Sequence, residues 1–127
     1  MNYTPYDYMS GLKGTHRVAL LVTESVDARL LSKFLREQFR RSFPGTELNI
    51  AWVRLKDGLL FCFSASYLAI DVAKTLISEK FKVEELYQGM RQAALLKVVN
   101  KLIAEKVAPF GTRTYGGSRV NERRSYC

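Results

Sequence analysis

The run EELYQGMRQAALLKVVNKLIAEKV, residues 84–107, decides how this chain folds. Glu84 and Glu85 suit the first turn of a helix and Pro109 lies just beyond the run, so the spacing predicts a helical stretch that reaches roughly 36 Å if unbroken. At 100° per residue, Leu86, Tyr87, Met90, Ala93 and Ala94 gather on one side of that helix. Leu95, Leu96, Val99, Leu102, Ile103 and Val107 gather on nearly the opposite side. The polar residues switch as well: Glu85, Gln88 and Gln92 oppose the first stripe, and Lys97, Asn100 and Lys101 oppose the second. One core cannot easily cover both stripes of a straight helix. Either the helix breaks near Ala94, where no turn residue stands, or its second half leaves the domain. In the second case residues 95–107 pack on another subunit or a protein partner, with Leu95, Val99, Leu102 and Ile103 as oligomerisation contacts.

Upstream of this run the elements are shorter and plainer. His16 to Thr23 is almost continuously apolar from Val18 to Val22, the pattern of a strand covered on both faces. Ser25 is placed to cap the helix that follows, with Asp27 in its first turn and Arg40 and Arg41 in its last, before Pro44 and Gly45 end it. Leu48, Ile50 and Trp52 alternate with polar or small residues, and Leu59, Phe61 and Phe63 do the same beyond Lys56-Asp57-Gly58. That reads as a hairpin with Asp-Gly as its turn signal. Ser64 or Ser66 then caps a second helix, whose arc Leu68, Val72, Ala73, Leu76, Ile77 and Phe81 is expected to pack on the sheet.

The expected fold is therefore α+β, a β-α-β-β-α-α two-layer sandwich. It has a split-βαβ-like sheet of three or four strands, helices on one face, a long C-terminal helix and a basic tail. Residues 1–14 form a Tyr-rich N-terminal arm, 15–108 a single domain, and 109–127 a flexible Arg/Gly/Tyr tail. With the third strand between the first two, one side of the first strand lacks a neighbour, although its apolar run is that of a central strand. The candidates to fill it are the tail around Phe110 to Tyr115, the opening segment Tyr3 to Met9, or a partner's strand.

The 127 residues, 47% hydrophobic and 25% charged, form a chain long enough to bury a core without metal or disulfide support. The opening residues lack the basic and apolar regions of a signal peptide, and no stretch is long enough to span a bilayer, so a cytoplasmic protein with no membrane contact is expected. Of the two cysteines, Cys62 reads as a buried small hydrophobe, and Cys127 is the last residue.

The net charge of +8 is unevenly placed. Val26 to Phe43 holds five basic and two acidic residues, and Pro109 to Cys127 holds four and one, so each segment supplies +3. On the first helix Arg29, Lys33, Arg36 and Arg40 fall on one outward arc, opposite Leu30, Leu31, Phe34 and Leu35. Such a stripe, about 16 Å long, matches a row of phosphates, with Arg donating bidentately and Lys acting as a point charge. The tail's basic residues are all Arg: Arg113, Arg119, Arg123 and Arg124. They are interleaved with Tyr115, Tyr126 and glycines, a composition suited to stacking on unpaired bases. Tyr3, Tyr6 and Tyr8 are further stacking candidates.

Catalytic patterns are sparse. His16 is the lone histidine, no cysteine pair has zinc spacing, and there is no phosphate-binding glycine loop, so neither a metal nor a cofactor is expected. Asp7, Glu24, Glu47, Asp57 and Asp71 are the available acids, and a metal-dependent nuclease would need some of them to converge in space. The reading is a small basic nucleic-acid-binding protein for RNA or single-stranded DNA, without catalytic residues and oligomeric. The alternative is a structural, assembly or adaptor protein acting through the C-terminal helix.

Overall fold

The computed structural model describes residue 9, residues 11–106 and residues 115–119, with backbone alone for 106 and 115–119. Strand β1 (His16–Val22) carries the run Val18 to Val22, every residue of which is buried. It lies inside the sheet, antiparallel to β3 (Gly58–Ala65) on one side and to β4 (Val83–Gly89) on the other. Each fully buried Val or Leu of this run contributes roughly 1.5–3 kcal/mol by leaving water. Strand β2 (Asn49–Leu55) pairs antiparallel with the far side of β3, which gives the four-strand order β4-β1-β3-β2. A short β5 (Tyr115–Arg119) joins the outer side of β2, in register from Val53↔Tyr115 to Asn49↔Arg119.

Strand β4 overturns the reading of 84–107 as one helix. Glu84, Glu85 and Tyr87 are strand residues opposite β1, and helix α3 (Gln92–Lys106) starts after Met90 and Arg91. At this boundary Gly89 lies against the Tyr87 side chain, where a Cβ would come 2.5 Å from the Tyr87 hydroxyl. That hydroxyl is tied to the turn: it donates to the Arg91 carbonyl at 3.1 Å and accepts from the Arg91 N–H at 3.2 Å. A strand followed by a returning helix resolves the conflict between the two apolar stripes. Leu86 and Tyr87 from β4, with Leu95, Leu96, Val99, Leu102 and Ile103 from α3, all pack into one cluster with Ala19, Leu21, Ala51, Val53, Leu60 and Cys62. Leu95 and Val99 are fully buried in their own chain, so the reason for expecting a partner along this helix lapses. Val107 lies outside the described residues. The neighbour missing from β1 is thus β4, and not the tail, the opening segment or a partner's strand.

Helices cover both faces of the sheet rather than one. α1 (Ala28–Ser42) and α2 (Tyr67–Lys80) pack over Val18, Leu20, Val22, Ile50, Leu59, Phe61 and Phe63, the alternate residues of the same strands. On the α3 side the cluster also takes in Met9 and Leu12, so these two residues of the expected arm belong to the core. Among the described residues the chain is α+β with three helices, in the order β1-α1-β2-β3-α2-β4-α3-β5.

Local chemistry sets the boundaries. Asp27, expected in the first turn, is the cap of α1: its carboxylate accepts from the N–H groups of Arg29 at 2.8 Å and Leu30 at 3.3 Å. After α1, Thr46 N–H donates to the Phe43 carbonyl at 3.1 Å across Pro44-Gly45, and Gly45 has φ +81°, a conformation for which glycine is suited at the third position of such a turn. The hairpin loop is Lys56-Asp57, since Gly58 already pairs with Leu55. Ser66 occupies the N-cap position of α2 through its backbone, its carbonyl accepting from the Ala69 N–H at 3.1 Å with no capping bond from its side chain, and the helix buries Ala69, Ile70, Ala73 and Ile77. Leu68 and Leu30, expected to face the sheet, are instead exposed, Leu68 by 80%.

Two measurements test this packing. Leu95→Ala lowers unfolding stability in urea by about 2–5 kcal/mol, as for a buried leucine, whereas Leu68→Ala changes it by less than about 0.5 kcal/mol. Burial also pushes the Cys62 thiol well above the usual cysteine range. The folded chain therefore keeps a proton that the unfolded chain releases above about pH 8.5. The thiol's contribution is complete below that pH and falls as pH rises, by about 1.4 kcal/mol per unit. Urea titrations from pH 8 to 10 should show this component of the slope in the native sequence and its loss in Cys62→Ala.

Candidate nucleic-acid interface

Helix α1 is amphipathic in the expected register: Ala28, Leu31, Ser32, Leu35 and Phe39 are buried, while Arg29, Lys33, Arg40 and Arg41 are exposed and Arg36 is half-buried. The stripe extends along the helix for about 16 Å at 1.5 Å per residue. The side-chain ion pairs of the described surface centre on Lys74, which meets Glu85 at 2.9 Å and Asp71 at 3.9 Å. Among the described residues no carboxylate pairs with Arg29, Lys33 or Arg40.

The sheet brings one residue of the second basic segment, Arg119, to the same corner. α1 packs on β2 and beside α2, and β5 lies on the outer side of β2. Arg119 sits in register opposite Asn49, the residue that residues 43–48 link to the end of α1. The C-terminal turn of α1, with Arg40 and Arg41, and the backbone of Arg119 therefore share one corner of the molecule. Tyr115 occupies the other end of β5, opposite Val53. Within the expected tail, Tyr115–Arg119 form a strand. Arg113, Arg123, Arg124 and Tyr126, like Tyr3, Tyr6, Tyr8 and Cys127, lie outside the described residues.

The same end of the sheet holds an exposed group that the sequence reading missed. β3 ends there at Ala65, opposite His16, and α2 begins immediately after with Tyr67, 65% exposed, and Leu68. The His16 and Tyr67 rings meet with centroids 4.7 Å apart and planes tilted by 53°. The available signal was position: Tyr67 and Leu68 directly follow the capping serine, before the buried arc that starts at Ala69.

The acids are dispersed. The Glu24 carboxylate accepts from the Lys82 N–H, Asp71 pairs with Lys74, Asp57 is exposed in the hairpin loop, Glu47 is exposed, and Asp7 lies outside the described residues. Among the described residues no three His, Cys, Asp or Glu side chains stand close enough to hold a metal ion, and no helix is long and apolar enough to cross a membrane. Comparison with protein-family models, with curated proteins and with solved structures finds no match.

Proposed function

We propose that this chain is a small, basic, non-enzymatic nucleic-acid-binding protein of the cytoplasm, which takes RNA or single-stranded DNA on the corner formed by α1 and β5. The observation that supports this reading most is the outward stripe of α1, whose C-terminal end lies at the β2 edge where the backbone of Arg119 is in register with Asn49. Three exposed cations of the stripe, Arg29, Lys33 and Arg40, have no carboxylate partner among the described residues. They are available to phosphates, which Arg meets with a bidentate fork and Lys as a point charge.

The order β4-β1-β3-β2 with its two crossover helices supports assigning the core to the split-βαβ, ferredoxin-like class. RNA-recognition modules built on a four-stranded sheet stack bases on aromatic residues of the open sheet face. Here the central strands offer Ala19, Leu21, Leu60 and Cys62 on that face, and all four are buried in the cluster that includes α3. Contact is accordingly assigned to the helix and the sheet edge, where the charge lies.

Fluorescence anisotropy with a mixed-sequence single-stranded oligonucleotide tests the reading. Binding at low salt should weaken steeply as salt is added, because each neutralised phosphate releases counterions. Replacing Arg29, Lys33 and Arg40 together by Glu should flatten the plot of log K against log salt by about 2 and weaken binding. Absence of binding at low salt, or a triple variant indistinguishable from the native chain, overturns it.

A further inference from the structure

Resting on that reading, we propose that Tyr67, braced by His16, is a base-stacking platform for a single-stranded nucleic acid whose phosphates follow α1. Among residues with described side chains, every other aromatic is buried or half-buried, whereas Tyr67 is 65% exposed. An exposed phenol is ordinarily mobile, but the His16 ring at 4.7 Å restricts this one and leaves part of its surface open. A platform held before the ligand arrives loses less conformational entropy on binding.

α1 runs back along the sheet and ends near the start of β2, and Asn49 of β2 is in register with Ser64 of β3. α2 begins three residues after Ser64, so Tyr67 stands at the end of the sheet where Arg40 and Arg41 close the basic stripe. Lys13, exposed, precedes Gly14, whose N–H donates to Ser64 Oγ at 3.0 Å, which brings one more cation to this end. Cations and an aromatic plane at one end of the sheet are the two components of single-strand binding grooves: charge follows the backbone while bases stack. A duplex offers no free base face to such a ring, so the platform selects unpaired strands.

The test uses the full chain and fluorescein-labelled oligonucleotides of one length: single-stranded, duplex, and single-stranded with abasic sites. Tyr67→Ala should weaken single-strand binding about tenfold, leave the salt slope unchanged, and leave duplex and abasic binding unaltered. Tyr67→Trp should retain affinity within about twofold. Far-UV circular dichroism should match the native chain in both variants, as expected for so exposed a side chain. If Tyr67→Ala binds the single strand as tightly as the native chain while the α1 triple variant does not, the platform is wrong and the phosphate stripe stands; this is also the result expected if the ring instead docks a protein. Equal losses on normal and abasic strands would overturn stacking as the role of Tyr67. No binding of any oligonucleotide at low salt overturns both proposals.

Discussion

The structure depends on covering β1. Five consecutive apolar residues, Val18 to Val22, point alternately to the two faces of the sheet, so one layer of helices cannot bury them. Val18, Leu20 and Val22 demand α1 and α2, while Ala19 and Leu21 demand α3. The backbone of β1 makes a matching demand in the plane of the sheet, where its two sides are taken by β3 and β4. Each of these elements comes from a different part of the chain, so β1 is where local segments become a single fold.

Much of this order was legible. The central character of β1, the hairpin with its short loop before Gly58, and the inward and outward faces of α1 follow from periodicity and turn residues. Residues 84–89 were misread because EELYQG fits both periods: Glu-Glu suits a helix start, and the apolar pair Leu86-Tyr87 fits a helical stripe. What decides between the two is tertiary. β1 lacks a neighbour, and the register break between Ala19 and Leu20 in the β1–β4 pairing admits the adjacent Leu86 and Tyr87 to one cluster. Gly89 is the local signal of that boundary, and it gains weight only once the strand before it is recognised.

The two-stripe pattern of 84–107 also shows how an inference about partners can rest on an assumed secondary structure. On one helix, opposite stripes require two covers. On a strand and a returning helix they require only one, since both elements present their apolar residues to the same sheet face. The argument for an oligomer through Leu95, Val99, Leu102 and Ile103 came from helical geometry imposed on a strand, and burial of Leu95 and Val99 within the chain removes that argument.

The basic stripe of α1 is not accounted for in that way. Arg29 and Lys33, Lys33 and Arg36, and Arg36 and Arg40 are like charges at spacings of three or four, each such pair costing a helix roughly 0.2–0.5 kcal/mol. Arg29 adds an unfavourable charge in the first turn, against the helix dipole. Glu37 is spaced to relieve Lys33 and Arg41 but is one carboxylate among five cations. What holds α1 in place is on its other side: the Asp27 cap at the start and the burial of Leu31, Leu35 and Phe39 below. Arg40 and Arg41 in the last turn suit the dipole, so the unfavourable charge sits at the start of the stripe, where Arg29 and Lys33 are exposed. Among the described residues no carboxylate neutralises Arg29, Lys33 or Arg40, so this row of cations faces outward uncompensated and ends at the corner where β5 joins β2.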